Sequence, residues 1–265
     1  LLRKAIEGEG KDFDPLQTAI ILPDERLLFP VLYALPEGLI RSQSINVTMG
    51  FPLQATALNG LLLALARLHR NAEANNTHPA NPAYYYQDLR QVLQHPYLEP
   101  IAPGFVRDTL ERISTDKFPY ISYKSLFKSP ALPGERRELL ELLLAHQATA
   151  GQALAVLERL AEGLHAQSEE AGSALTALER EVLYHFHAQL QRLAEGLALA
   201  EAAPSPGAPA AEPMAAGVFW GLVQQWFATA RIPFHGEPLM GLQIMGFFEA
   251  RALDFRHVFI LSANE

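Results

Sequence analysis

The amino-acid sequence predicts an α/β fold in which a parallel sheet is interrupted by a large, all-helical insertion. Three observations lead to this fold class. Strand and helix signals alternate over residues 16–70, helical periodicity dominates residues 71–235, and two apolar runs typical of strands return in residues 236–265. Two strands alone would leave their faces and edges uncovered. We therefore expect the first and last stretches to lie side by side in one sheet, with two separate domains as the alternative.

The first stretch resembles a βαβα unit. The run TAIILP at 18–23 predicts a strand that is covered on both faces and ended by proline. Asp24 is a candidate N-cap for the helix that follows, in which Pro30 indicates a late start or a kink. INVTMG at 45–50 predicts a second strand, and Pro52 fits the first turn of a helix reaching residue 70. The α/β domain is therefore predicted to comprise residues 14–70 and 236–265.

The middle stretch, residues 71–235, is predicted to be a helical insertion without strands. Its clearest helix covers residues 173–199, where apolar side chains recur every three or four positions. This stripe consists of Leu175, Leu178, Val182, Phe186, Leu190, Leu193 and Leu197. A similar stripe on the preceding helix consists of Leu154, Leu157, Leu160 and Leu164. The Ala/Pro-rich segment 201–217 predicts a flexible loop, after which a helix resumes.

The last stretch contains two apolar runs, LQIMGFF and HVFILSA, on either side of EARALDF. Each run predicts a strand, and the second leads directly into Asn264 and Glu265. A strand rich in Val, Phe, Ile and Leu needs neighbours on both faces. We therefore expect the natural chain to continue beyond Glu265.

Composition limits the possible functions. With 265 residues, of which 49% are hydrophobic, the chain can bury a full core. The absence of cysteine excludes disulfides and thiolate-bound metals. No apolar run approaches the roughly 18 to 20 residues that span a bilayer, so we predict a cytoplasmic protein without membrane partners. A net charge of −8 argues against tight nucleic-acid binding unless a local basic patch or a partner supplies positive charge.

The segment from Met245 to Phe259 resembles a conserved motif of superfamily 1A DNA helicases of the UvrD/RecB type, in their second motor domain. Active members read approximately M-T-V-H-K-A-K-G-L-E-F, then two residues, then V-F. The present chain keeps the packing residues of that motif and a carboxylate, but lacks its polar Thr and His and its Gly. The retained positions are Leu253, Asp254, Phe255, Val258 and Phe259, and the replacements are Gly246, Phe248 and Ala252.

The resemblance is closest to the AddB/RexB-like and RecC-like subunits of helicase-nuclease complexes, in which this fold has lost its motor chemistry. TAIILPDERLLFPVLYAL resembles the strand and helix of the family's motif IV, and YYYQDLRQVLQHPYL resembles a segment near the start of the family's insertion. The resemblance implies a P-loop-NTPase-like (RecA-like) sheet with an insertion corresponding to the 2B subdomain.

The function implied by the resemblance is a non-catalytic, helicase-like module of a DNA double-strand-break repair protein. Such a module would guide DNA and support an active helicase subunit of the AddA/RecB type, in a parent chain that can include an ATP-dependent helicase or exonuclease. Two alternatives stay open. One is the second motor domain of an active UvrD-like helicase, and the other is a protein-interaction adaptor unrelated to DNA.

The sequence indicates no complete catalytic centre, no metal site and no cofactor. Gly10-Lys11 lacks the glycines and the strand of a P-loop. The Glu9-x-Lys11 pair precedes Asp24, which is the wrong order for the family's nuclease motif. His185 and His187 are two positions apart on one helix, so they point to different faces and cannot share a metal.

Four residues are predicted to lie near DNA or nucleotide: Thr48, Arg251, Asp254 and Asn264. Thr48 follows a strand and could donate to a phosphate, although an ordinary strand-end hydroxyl is equally consistent with its position. Arg251 occupies the place of the family's motif lysine, with a surface ion pair to Glu249 or Asp254 as the alternative. The aromatic residues Trp220, Trp226 and Phe227 could stack on bases, but their helical spacing favours core packing.

Overall fold

A computed structural model describes residues 14–35, 45–75, 78–128, 134–169, 177–202, 213–233, 241–251 and 253–262. These residues form two compact units. The first, which we call the sheet unit, comprises the described residues up to Ala55 and from Thr229 onward. The second, the helical unit, comprises the described residues between Thr56 and Ala228.

The secondary structure contains both α-helices and short strands. The strands are β1 Thr18–Leu22, β2 Ile45–Val47, β3 Gly50–Pro52, β4 Ala83–Tyr85, β5 Tyr120–Ser122, β6 Arg231–Pro233, β7 Leu242–Gly246 and β8 His257–Ile260. The α-helices are α1 Leu28–Ala34, α2 Ala57–Asn75, α3 Tyr86–Leu93, α4 Pro103–Asp116, α5 Tyr123–Leu126, α6 Gly134–Leu143, α7 Ala150–Glu169, α8 Ala177–Ala202 and α9 Ala216–Thr229. Short 3-10 helices cover Pro15–Gln17, Glu25–Leu27 and Leu53–Ala55.

The sheet unit is built on a four-stranded parallel sheet with the strand order β2-β7-β1-β8. In the centre, Ile20 of β1 pairs with Ile244 of β7 on one side and with Phe259 of β8 on the other. β2 completes the sheet by pairing with β7. The first and last parts of the chain therefore share one sheet, which confirms the predicted α/β class and its parallel strands.

The core of the sheet unit forms around β1 and β7, which are apolar except for Thr18 and Gln243. Every residue of both strands is buried, as expected for central strands that are covered on both faces. Helix α1 packs Leu28 and Val31 against Ile20 and Ile244. Edge strand β8 contributes Phe259 to this core.

Asp24 caps a 3-10 turn that precedes α1. Its carboxylate accepts a hydrogen bond from the backbone N–H of Arg26 at 3.0 Å, and the Arg26 guanidinium binds both carboxylate oxygens at 2.8 to 3.2 Å. These bonds lower the pKa of Asp24 below its ordinary value. Helix α1 begins only at Leu28, which places Pro30 in the first turn, where no backbone donor is needed. The predicted late start is confirmed.

Three predictions for the first stretch are wrong in detail. The second strand ends at Val47, not at Gly50. Pro52 does not open a helix but ends β3, which pairs with β6 in an antiparallel ladder. Proline is tolerated there because the ladder has only two strands. On the side of β3 that faces away from β6 no backbone donor is needed, so the missing N–H of proline costs no hydrogen bond. The long helix α2 begins at Ala57 and belongs to the helical unit.

The helical unit contains the two predicted apolar stripes. Leu157, Leu160 and Leu164 of α7 are fully buried, and they lie on a helix that packs against α8. On α8, Val182, Phe186 and Leu190 are buried as predicted, and Leu193 and Leu197 are half-buried. Leu175 lies outside the described residues, and the side chain of Leu178 is not described.

The prediction of an all-helical insertion is wrong. Strands β4 and β5 form an antiparallel pair in which Tyr84 faces Ile121. Aromatic and β-branched side chains favour extended backbone, and a segment of three residues is too short to show strand periodicity. The predicted loop 201–217 is also shorter than expected, because α8 continues to Ala202 and α9 begins at Ala216. Residues 203–212 lie outside the described part.

Over the described residues, every helix falls short of the combined length and apolarity that a bilayer crossing requires.

Candidate functional site at the carboxyl edge of the parallel sheet

The carboxyl edge of the parallel sheet is the candidate functional site, because ligands of open α/β sheets bind outside the carboxyl ends of the strands. Four segments leave the sheet at this edge. Asp24 follows β1 by one residue, Thr48 directly follows β2, residues 247–251 follow β7, and Ser262 lies shortly after β8.

Thr48 occupies the predicted position at this edge. Its backbone N–H donates to the carbonyl oxygen of Ile244 at 3.0 Å, which extends the pairing of β2 with β7 by one residue. The side chain is exposed. A threonine that is fixed by its backbone and exposed at a strand end can offer its hydroxyl to a ligand.

Arg251 lies in the turn that follows β7, also on the carboxyl side of the sheet. Its guanidinium carbon is 5.2 Å from the centroid of the Phe248 ring, a distance typical of a cation–π contact. Within residues 241–251 and 253–262, the structure shows no ion pair between Arg251 and either Glu249 or Asp254. The exposed Arg251 side chain therefore rests on an aromatic ring at this edge.

Asp254 does not belong to the same edge. Since β7 and β8 both run parallel to β1, the connection between them must return from the carboxyl edge to the amino edge. Asp254 is exposed and lies only three residues before the first residue of β8, on the returning part of this connection. Asn264, the fourth predicted residue, lies outside the described residues, as do Glu9, Gly10 and Lys11. The structure thus brings Thr48 and Arg251 to one edge and leaves Asp254 away from it.

Glu249 folds back over the end of β7, a feature that the sequence did not suggest. A side chain at Gly246 would collide with the Glu249 carboxylate, so the carboxylate fills the space that glycine leaves open. Gly246 pairs with Leu22, at the carboxyl end of the two central strands. A negative charge therefore lies at the middle of the candidate site.

Two other arginines at this edge are paired with carboxylates. Arg26 binds Asp24 through its guanidinium, and Arg231 of β6 forms an ion pair with Glu25. These pairs occupy the two carboxylates that follow β1. The Arg231–Glu25 pair was not predicted, because its two residues are 206 positions apart in the sequence.

The exposed side chains at this edge can form hydrogen bonds and ion pairs with a ligand. Among the described residues, no group of three or more His, Asp or Glu side chains is arranged to hold a metal ion. The exposed groups include the Thr48 hydroxyl, the Arg251 guanidinium and the Glu249 carboxylate. Ser262, which has a left-handed backbone with φ of 56°, turns the chain immediately after the sheet. Its conformation could not be inferred from sequence, since serine has no preference for it.

His185, His187, Trp220 and Trp226 lie in the helical unit and do not come together in one site. His185 contacts Glu181 at 3.1 Å, whereas His187 contacts Gln191 at 3.2 Å, so the two rings have different neighbours. Trp220 and Phe227 are 1% exposed, which confirms core packing for both, and Trp226 is half-buried.

A scan of the chain against protein-family models finds no match, and a search of curated proteins likewise finds none.

Proposed function

We propose that this chain is a non-catalytic, helicase-like module of a DNA double-strand-break repair helicase-nuclease, which guides DNA and supports a motor subunit of the AddA/RecB type. The RecA-like character of its sheet is part of this proposal. The observation that supports it most directly is the pairing of β1 and β2 with β7 and β8 across the inserted helical unit. The same interruption of a parallel sheet is what the resemblance to superfamily 1A helicases implies.

The motif-like segment also has a suitable position. It starts at the end of central strand β7, where the loops of open α/β sheets meet their ligands. Arg251, in the place of the family's motif lysine, and Thr48 present a cation and a hydroxyl at that edge. Both groups can bind the phosphate backbone of DNA, which receives most of the hydrogen bonds in protein–DNA complexes.

The Glu249 carboxylate supports a binding role over a nucleotide-hydrolysing one. It fills the space beside Gly246, where active family members have a polar threonine. Gly246 therefore offers no hydroxyl to a nucleotide phosphate, and the Glu249 carboxylate closes the space beside it. We therefore propose that the chain uses this edge without hydrolysing ATP and requires no cofactor.

Binding to a forked DNA, a duplex with single-stranded tails, tests the proposal. We expect micromolar or weaker binding that becomes weaker still between about 50 and about 200 mM salt. Arg251→Ala should reduce the affinity severalfold, since it removes one phosphate-facing cation. Arg256→Ala is the matched control, because Arg256 is exposed and directly precedes β8, at the amino edge of the same sheet.

Equal effects of Arg251→Ala and Arg256→Ala would contradict a role for the carboxyl edge, and no DNA binding at low salt would contradict the proposed function. Turnover of ATP that is lost in Asp254→Asn would favour the alternative of an active motor domain.

A further inference from the structure

A cavity of about 310 Å³ opens in the helical unit between the end of α4 and the β4–β5 pair. Its wall includes Thr109, Arg112, Asp116, Phe118, Tyr120 and Ser125. This volume lies at the lower end of the range typical of ligand sites. The cavity combines aromatic rings with charged side chains, which distinguishes it from a packing defect in an apolar core.

Two aromatic side chains at this cavity are exposed. Phe118 is 66% exposed and Tyr120 is 46% exposed, although large aromatic residues gain most by burial. The ring of Tyr85 lies 5.8 Å from that of Tyr120 and supports it from the neighbouring strand. The β4–β5 pair therefore holds Tyr120, and Phe118 lies two residues before it in the short connection between α4 and β5, so that the two exposed rings form an aromatic surface at the cavity.

Cationic residues are frequent in the sequence around this aromatic surface. Residues 112–128 contain four cationic side chains and one carboxylate, in a chain whose net charge is −8. Arg112 donates a hydrogen bond to the carbonyl oxygen of Ser125 at 2.9 Å, which fixes its guanidinium at the cavity wall. Lys117 and Lys124 are exposed and directly adjoin the cavity residues Phe118 and Ser125. This is the local reversal of charge that an acidic chain needs to attract a polyanion.

We propose that Arg112, Lys117, Phe118, Tyr120 and Lys124, here called the aromatic-basic patch, bind single-stranded DNA. Exposed rings stack on bases that are not paired, whereas the stacked bases of a duplex are inaccessible to them. The cations contact the phosphates, and the Asp116 carboxylate in the cavity wall can accept hydrogen bonds from the N–H groups of unpaired bases. The inference goes beyond the proposed function because it names a second binding surface. It rests on the proposed function only for the identity of the ligand, which is DNA and not RNA.

The full chain and its variants should be titrated into a fluorescent oligothymidylate of about 12 nucleotides, a length that one stacking site can occupy. Phe118→Ala and Tyr120→Ala should each weaken binding about tenfold, because each removes a stacking partner for one base. Tyr120→Phe keeps the ring and should retain the affinity. Tyr184→Ala is the matched control, since Tyr184 is also 66% exposed but lies on α8.

The cationic part of the patch is tested by salt dependence. Lys117→Gln and Lys124→Gln should each lower the slope of log affinity against log salt by about 0.7, the value for one phosphate contact on a single strand. Arg192→Gln, on the exposed surface of α8, should leave the slope unchanged. Circular dichroism melting of each variant shows whether it is folded.

The possible results separate this inference from the proposed function. One result would contradict the aromatic-basic patch and leave the proposed function standing. In that result Arg251→Ala weakens the binding of forked DNA, whereas Phe118→Ala and Tyr120→Ala leave the affinity for single-stranded DNA unchanged. If polyglutamate competes as well as the oligonucleotide, the surface recognises charge alone and the inference is overturned. If neither forked nor single-stranded DNA binds, both proposals fail.

Discussion

The sheet unit and the helical unit assemble their cores from different kinds of contact. In the sheet unit, β1 pairs with β7 and β8, so residues near one end of the chain lie beside residues near the other. In the helical unit, helices that are neighbours in sequence, such as α7 and α8, pack together. The helical core therefore depends on local periodicity, whereas the sheet core depends on pairing across the whole insertion.

The two units also differ in where they use polar groups. The charged pairs of the sheet unit lie at its carboxyl edge, where Asp24 and Glu25 bind arginines. The helical unit has ion pairs as well, such as Arg137 with Glu141, but it also buries a polar cluster. In this cluster the Trp220 indole donates to Gln147 at 2.9 Å, and His69 donates to the carbonyl oxygen of Leu143 at 2.9 Å. A buried cluster can be stabilising only while its groups stay in the right protonation state.

The largest expected effect comes from the central strands. Ile244 is fully buried in β7 and packs in the core shared with α1. We expect Ile244→Ala to lower the free energy of unfolding by about 3 to 4 kcal/mol, because it removes buried apolar surface and leaves a cavity. Chemical denaturation followed by circular dichroism measures the change.

Ile260→Ala in edge strand β8 is the matched control for Ile244→Ala. Ile260 is 49% exposed, so the same truncation there should cost less than about 1 kcal/mol. If the two substitutions cost the same, β7 is not the centre of the sheet in solution.

The next largest effect is a pH dependence that originates in the helical unit. Burial lowers the pKa of His69 from 6.5 to about 4, against the opposing hydrogen bond to Leu143. As the pH falls below 6.5, His69 becomes protonated in the unfolded chain but stays neutral in the folded protein. The free energy of unfolding therefore decreases until the pH reaches about 4. Between about pH 7.5 and about pH 5 the loss should be about 2 kcal/mol.

Denaturation of the protein and of His69→Gln at both pH values isolates this contribution. The variant should be less stable at neutral pH but should lose less on acidification. His187→Gln, an exposed histidine on α8, should keep the full pH dependence. Parallel pH profiles for the protein and His69→Gln would show that His69 is not buried in its neutral form. The half-buried His95, whose pKa is also lowered by burial, contributes with the same sign.

The sequence was informative wherever one local property determines the structure. Apolar runs identified β1 and β7, and spacing of three and four residues identified the buried faces of α7 and α8. Where two local signals compete, prediction failed. Tyr84, Tyr85 and Tyr86 lie at the junction of a strand and a helix, and neither pattern extends far enough to be recognised.

The candidate site was predictable only in part. Thr48 was identified by its place after a strand, and Arg251 by resemblance to a motif. The Arg231–Glu25 pair and the return of Glu249 over Gly246 arise from tertiary proximity, which no local pattern encodes. The aromatic-basic patch did leave a signal, since two lysines flank three aromatic residues in KFPYISYK at 117–124.

The smallest expected effect concerns a buried polar pair inside the parallel sheet. Asn46 of β2 and Gln243 of β7 are register partners, and the Asn46 amide donates to the Gln243 side-chain oxygen at 2.7 Å. Both side chains are buried, and Gln243 also donates to the carbonyl oxygen of Gly241 at 3.0 Å. The sheet unit therefore also contains a buried hydrogen bond between polar side chains, like those of the cluster around Trp220 in the helical unit.

A double-mutant cycle measures what this pair contributes. Asn46→Leu alone should cost about 1 to 2 kcal/mol, because the Gln243 oxygen stays buried without the donor that satisfied it. Adding Gln243→Leu should recover part of that loss, since the double variant buries two apolar side chains and leaves neither partner unsatisfied. A coupling energy of about 1 kcal/mol is expected from equilibrium unfolding of the four proteins. Additive costs would mean that the two amides do not interact in solution, and β2 would then be held to β7 by its backbone ladder and by Ile45 and Val47 alone.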